Sequence, residues 1–404
     1  MSYDVAAVRG RFPALRAGIA HFDGPGGSQV PDTVAGAVAG ALTSPLANRG
    51  SVTSGERSAD AIVRGARAAV ADLLGADPRG IVFGRSMTAL TFDLARTLAA
   101  TWSSGDEIVV TRLDHDANVR PWVIAAEAAG ATVRWLDFDP GTGGLDDVAP
   151  LLNDRTRLVA VTGASNLIGT MPDVPAIAEQ VHAAGALLMV DGVHRTAHVP
   201  VDVRALGADF YACSPYKFLG PHCGVLAADP DLLETLRPAK LAPSSDAVPE
   251  RFELGTLPYE LLAGTSAAVD FLAGLDAGAP GATATGDRRA RITASMTAVA
   301  AHEEPLRERI ESHLLGLPGV TVLSRAASRT PTLLVTVDGR DPAEAYRFLA
   351  GRRIAAPASS FYALECSRRL GLGDTGALRI GLACYTDDAD VERLLTALSE
   401  FTGA

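Results

Sequence analysis

Lys217 and Asp191 are the residues of this sequence best placed to do chemistry. Lys217 lies in Tyr211-Ala-Cys-Ser-Pro-Tyr-Lys-Phe-Leu-Gly-Pro-His222, and Lys240 is the only other lysine in the chain. The run Ala208–Cys213 before it reads as a strand, and Gly220-Pro221 after it reads as a break. An amine at a strand end among Ser214, Tyr216 and Phe218 is poorly placed for solvation. Desolvation lowers an amine's pKa and makes it a nucleophile toward carbonyl groups. Upstream, Leu187-Leu-Met-Val-Asp191-Gly-Val-His194 ends a second apolar strand in an acid. Two such ends in one sheet place an amine near a carboxylate able to hold a protonated ring nitrogen. That pairing suits a carbonyl cofactor built on a pyridine ring, pyridoxal 5′-phosphate (PLP).

Other motifs are weaker singly. Gly84-Arg-Ser-Met-Thr88 joins a strand to a helix, where backbone N–H groups and the helix dipole attract a phosphate. Alone, it is more often an ordinary N-cap. It is neither a P-loop nor a dinucleotide turn. His115, in Asp114-His115-Asp-Ala-Asn118, can stack on a planar group or shuttle protons, although an isolated His is more often a surface residue. Asn166 follows the strand Thr156–Thr162 and can donate to a ring oxygen, or be a turn residue. His194 can reach the same oxygen. The Asp191-x-x-His194 spacing also raises a metal-site reading, with His198 as a distant further candidate, but no third ligand of suitable spacing is evident and no metal is expected. Asn48-Arg49-Gly50 is a polar turn. Phe22-Asp-Gly-Pro-Gly-Gly-Ser28 is a loop, or an arm crossing a subunit interface.

These residues need elements to position them. Short Val/Ile/Leu runs at 80–83, 107–110, 131–136, 156–162, 186–190 and 208–213 alternate with helical patterns, which predicts a mainly parallel sheet covered on both faces. Gly224–Ala228 reads as its antiparallel member. Sites in such sheets lie beyond the carboxyl ends of the strands, where Lys217, Asp191 and the Ser86-Met-Thr88 turn all fall. Helices are expected at 5–15, 31–42, 58–74, 89–101, 118–129, 174–184, 259–275, 292–315, 342–352 and 388–401, with an extended piece at 251–256. The expected organisation is an N-terminal helix and arm over 1–20, a large domain over 21–276 and a smaller α+β domain over 277–404.

Composition bounds the function. A net charge of −11 argues against a general nucleic-acid surface. The N-terminus lacks a basic and apolar leader pattern and no apolar run reaches membrane-spanning length, so a soluble cytoplasmic protein is expected. Cys213, Cys223, Cys366 and Cys384 show no C-x-x-C spacing and suggest neither a zinc knuckle nor a disulfide framework.

In combination, Arg85-Ser-Met-Thr88, Asp114–Asn118, Ser165-Asn166-Leu-Ile-Gly169, Val190-Asp191-Gly-Val-His194, Ser214-Pro-Tyr-Lys217, Glu253-Leu-Gly-Thr256 and Leu378-Arg379-Ile-Gly381 resemble the fold-type I PLP enzymes. The resemblance is to the class V aminotransferase branch that contains cysteine desulfurases, and it covers nearly the whole chain. It implies a seven-stranded large domain, a smaller C-terminal domain and a cytoplasmic homodimer acting on a small L-amino acid by C–S cleavage. It also implies roles. Lys217 forms the Schiff base and shuttles the Cα proton. Asp191 pairs with the ring nitrogen, His115 stacks on the ring, and Asn166 and His194 address the ring oxygen. Met87, Thr88, Ser214 and Tyr216 hold the phosphate, which Thr256 reaches from the neighbouring subunit. Arg379 clamps the substrate carboxylate, while Asn48 and Arg49 line the entrance.

Three departures stand out. Desulfurases carry Gln at His194 and His at Tyr216. Their cysteine nucleophile, which passes sulfur to an acceptor protein, would fall on Tyr362 of Pro357-Ala-Ser-Ser-Phe-Tyr362. Cys366 follows in Ala363-Leu-Glu-Cys-Ser-Arg-Arg-Leu, which reads as a helix. A structural thiol is the favoured reading there, and a class V aminotransferase or epimerase without persulfide chemistry is the alternative function. A scaffold that keeps the fold without catalysis is a second alternative, opposed by Lys217, Asp191 and Arg379.

Overall fold

The computed structural model describes residues 3–275 and 287–404. The expected boundary between a large and a small domain, at 276/277, lies outside the described residues. The chain opens with a helix over Val5–Arg9 and a 3-10 turn over Pro13–Ala17, not one helix to residue 15. Gly10 caps the first, and Pro13 cannot continue a regular helix. Strand β1 (Ala20–His21) follows and leads into the glycine-rich arm.

Seven strands form the central sheet: β2 (Ile81–Gly84), β3 (Glu107–Thr111), β4 (Thr132–Leu136), β5 (Thr156–Thr162), β6 (Leu187–Asp191), β7 (Phe210–Cys213) and β8 (Gly224–Ala228). Their order is β2-β8-β7-β6-β5-β3-β4, with β8 antiparallel to both neighbours and the other pairings parallel, as the sequence predicts. Successive side chains enter opposite cores. Ile81, Phe83, Val109, Val159, Leu188, Val190 and Tyr211 pack on one face. Val82, Ile108, Val110, Leu158, Met189 and Phe210 pack on the other. Each fully buried aliphatic side chain contributes about 1.5–3 kcal/mol. A charge at Val190 would therefore break the strand that carries Asp191.

Two helices start earlier than their hydrophobic periodicity suggests, because polar residues cap them. Thr53 and Glu56 form a reciprocal capping box that starts a helix at Ser54. The Ser86 hydroxyl accepts from Ala89 N–H and starts the helix Met87–Ala99. The piece expected to be extended at 251–256 begins instead with a 3-10 turn at Glu250–Phe252. Buried Arg67 pairs with Glu253 at 2.8 Å and holds it there.

A second sheet comprises β9 (Val320–Val322), β10 (Thr332–Val337), β12 (Ala358–Ser359) and β13 (Ala377–Gly381), with order β12-β13-β10-β9. Between β10 and β12, the short strand β11 (Ile354–Ala355) pairs with β1. The arm after β1 continues along β13, where Gly381 N–H donates to Phe22 O at 2.9 Å. This zipper brings both Arg379 of β13 and Pro25 of the arm to the carboxyl edge of the large sheet.

Candidate active site

The pocket lies at the carboxyl ends of β5, β6 and β7. Its lining includes Met87, Thr88, His115, Asn166, Asp191, His194, Ser214, Tyr216 and Lys217, with Pro25 of the arm. These are most of the expected site residues, gathered from segments over a hundred positions apart.

The corner at the start of the Met87 helix is built by close approach. A Cβ on Gly224 would stand 2.2 Å from the Ser86 carbonyl carbon, so only glycine lets β8 press against the start of the Met87 helix. Met87 and Thr88 open that helix and line the pocket. Ser86 is spent as the cap.

Lys217 ends a 3-10 turn after β7. Its Nζ donates to Pro25 O and lies 4.9 Å from the centroid of the Tyr216 ring. The arm fixes this turn, because Ser28 N–H donates to Tyr216 O at 3.0 Å and Leu219 N–H donates to Ser28 Oγ at 2.8 Å. Burial, reinforced by the charge of Arg379, pulls the Lys217 amine down to about 7, against a smaller upward pull from Asp191. Asp191 is fully buried, and burial raises it to about 6. Among the described residues the one hydrogen bond to its carboxylate comes from Val193 N–H at 2.9 Å.

His115 follows β3. Its Nδ1 accepts from Ala117 N–H at 3.0 Å, which leaves the ring neutral with its proton on Nε2. Burial, then the charges of Lys217 and Arg379, lowers it to about 4. Beneath it, Asp114 takes hydrogen bonds from Asn118 Nδ2 at 2.7 Å and Thr162 N–H at 2.9 Å, tying the loop to β5.

Two expected donors are already engaged. His194 Nε2 lies 2.9 Å from both Thr330 Oγ1 and Thr332 Oγ1. Only its Nδ1 is left for a ring oxygen, and burial keeps the ring uncharged by pulling its pKa down. Asn166 Nδ2 donates to Phe361 O at 2.9 Å, so this amide holds a loop. The Asp191–His194–His198 metal reading is not matched by the geometry. His198 Nδ1 meets Glu303 at 2.9 Å, and no three His, Cys, Asp or Glu side chains converge as ligands among the described residues.

Arg379 is 2 % exposed and has no carboxylate partner among the described residues. Its Nη1 donates to Asn166 O at 2.9 Å, and its Nε is buried without a partner. Burial lowers even this guanidinium, to about 9. An unpaired buried cation beside a nucleophilic amine is a receptor for a small anion, such as a substrate carboxylate.

Of the other expected site residues, Arg379 adjoins the pocket lining through Asn166, and the rest stand apart from it. Arg49 is pinned by Asp60 at 2.9 Å and Glu250 at 3.1 Å, and neither it nor Asn48 lines this chain's pocket. Those two acids hold the arginine where sequence reasoning put a substrate entrance. Thr256 is exposed and also outside the pocket.

Sequence reasoning missed Phe361. It and Tyr362 adopt φ values of 52° and 59°, a left-handed conformation that non-glycine residues rarely take. No sequence signal announces that conformation. The Phe361 ring centroid is 3.6 Å from Arg379 Cζ, and the Tyr362 ring stacks with His115. Cys366 lies on the helix Leu364–Arg369, fully buried, and burial pushes its thiol far above the ordinary range.

Comparison with known proteins now fits this geometry. The family model for class-V aminotransferases matches residues 20–394. The chain belongs to the class-V aminotransferase family. It is 35% identical to an uncharacterized protein of Mycobacterium tuberculosis, with 99% of each chain covered. It is 32% identical to a probable cysteine desulfurase of Pseudomonas aeruginosa, with 96% of each covered. A solved cysteine desulfurase from Escherichia coli superposes with a TM-score of 0.86 at 28% identity, covering 99% of this chain and 98% of that one. This class-V chain is a PLP-dependent enzyme. Its own residues fit the cofactor: a buried carboxylate with a single N–H partner, a low-pKa amine and a glycine-enforced helix N-terminus face one pocket. No helix among the described residues is long and apolar enough to cross a membrane.

Proposed function

We propose that the protein acts on a small L-α-amino acid by C–S bond cleavage of the desulfurase type, without a cysteine of its own as sulfur carrier. The observation that carries the first half is the pairing of Lys217, at about 7, with the unpaired buried Arg379. The second half rests on Cys366, which is buried, and on Tyr362, which occupies the expected nucleophile position.

Lys217 offers a free amine near neutral pH to bind the cofactor's carbonyl, and later takes and returns the substrate's Cα proton. Asp191 would hold the proton on the ring nitrogen. His115, neutral and planar, would cover a ring face. The N–H of Met87 and the hydroxyls of Thr88, Ser214 and Tyr216 hold the phosphate. Nδ1 of His194 serves the ring oxygen. Arg379 takes the α-carboxylate. When bound, PLP supplies an electron sink beside Cα. Thr256, exposed on one chain, would reach the phosphate of a second copy in a homodimer. Sulfur that leaves without a protein persulfide goes to a small thiol or departs as sulfide, so a sulfur-acceptor protein is not required.

The buried thiols favour one second reading, a class V aminotransferase or epimerase. Incubation with L-cysteine, followed by product identification, separates them. Sulfide with pyruvate and ammonia, or alanine with the sulfur captured as the persulfide of an added small thiol, formed equally by the wild type and Cys366→Ser, supports C–S cleavage without a protein persulfide. Loss of turnover in Cys366→Ser contradicts it. Amine transfer to a 2-oxo acid, or inversion at Cα without sulfide, establishes the second reading.

A further inference from the structure

We propose that Phe361 is a positioning residue for substrate-carboxylate recognition, fixing which edge of the Arg379 guanidinium meets the amino acid. The inference rests on the amino-acid reading above. Three contacts close a circuit. Arg379 Nη1 donates to Asn166 O at 2.9 Å. Asn166 Nδ2 donates to Phe361 O at 2.9 Å. The Phe361 ring returns to Arg379, 3.6 Å from Cζ.

Each contact removes a freedom from the guanidinium. The Asn166 carbonyl occupies the Nη1 corner. The aromatic ring covers one face, an arrangement that attracts the cation and sheds water. What remains is the edge formed by Nε and Nη2. Nε is buried with no partner, and Nη2 runs beside Gly26, where a Cβ would stand 3.4 Å away. That edge presents two parallel N–H donors, the match for the two oxygens of one carboxylate.

The loop is held in this shape from both sides. Phe361 and Tyr362 have φ of 52° and 59°, and Asp116 N–H donates to Tyr362 O at 2.7 Å. Left-handed aromatic residues persist only where neighbours over-determine them. The neighbours here are Asn166 and His115, which line the pocket, and Asp116 and Arg379, which adjoin them. Phe361 is therefore tied to the carboxylate end of the site and not to the amine end at Lys217.

The test separates those two ends. The PLP-loaded protein is titrated with L-alanine and with ethylamine, the same amine without its carboxylate, and binding is read from the visible absorbance. In the wild type, L-alanine binds more tightly than ethylamine. In Phe361→Leu, the Kd for L-alanine rises about tenfold while that for ethylamine is unchanged, the signature of a lost carboxylate contact. Phe361→Tyr, which keeps the ring over the guanidinium, stays within about twofold of the wild type. Equal weakening of both ligands, or no weakening of either, overturns the proposal. A wild type that binds ethylamine as tightly as L-alanine overturns instead the amino-acid reading of Arg379, and this inference with it.

Discussion

The ring of His115 lies 5.5 Å from the ring of Tyr362, with 29° between their planes. Tyr362 is 76% exposed, so it roofs the imidazole on its solvent side. Removing the roof readmits water to a ring whose pKa burial has lowered to about 4. In Tyr362→Ala the His115 pKa should rise by about one unit. Imidazole chemical shifts followed against pH measure it directly. Stability should change by no more than about 0.5 kcal/mol, because the side chain is mostly in solvent.

The Lys217 amine titrates near 7, first through burial and second through Arg379. Capture of PLP by the cofactor-free protein should therefore accelerate as pH rises through about 7. In Arg379→Gln the cationic neighbour is gone, the folded pKa rises, and the acceleration moves to higher pH. A wild-type midpoint near the ordinary lysine value, about 10.4, would contradict the burial argument.

Asp191 has the opposite linkage. Its folded pKa is raised to about 6, above its unfolded value, so its contribution to stability is full at low pH and is lost as pH rises through 6. Asp191→Asn should stabilise the cofactor-free protein by about 2 kcal/mol at pH 8, and by little at pH 4. Denaturant midpoints at the two pH values measure the difference. The same variant should hold PLP more weakly, since the ring nitrogen loses its acid.

Cys366 packs in the small core under the Leu364–Arg369 helix with Leu113, Leu167, Ile168 and Leu334. Cys366→Ala should leave product formation unchanged and lower stability by about 1–2 kcal/mol, the effect of a small cavity. The four native thiols are all buried, so thiol reagents should label the folded protein only on the time scale of unfolding.

The sheet was legible because continuous apolar runs of strand length have nowhere to go but between two helical layers, as Val82 and Phe83 show by entering opposite cores. Lys217, Asp191 and His115 were legible because each ends or closely follows a strand, and strand ends share one edge. Arg49 was not: the sequence shows a polar turn, but the acids that hold it, Asp60 and Glu250, are set by tertiary packing. His194 and Asn166 were read as free donors because Thr330, Thr332 and Phe361, their partners, lie well over a hundred residues away. The helix starts at Ser54 and Met87 were missed because caps are polar and leave no trace in hydrophobic periodicity.

The central claim is that Lys217, placed by β7 and the glycine-rich arm, is the amine that carries PLP and yields it to an amino acid. The chain contains two lysines, so the claim reduces to one peptide map. The PLP-loaded protein is reduced with borohydride, digested and analysed by mass spectrometry, with and without prior excess of a small L-amino acid. Modification of Lys217 alone, prevented by the amino acid, is the predicted result. A label on Lys240, on neither lysine, or on Lys217 regardless of the amino acid would contradict the account.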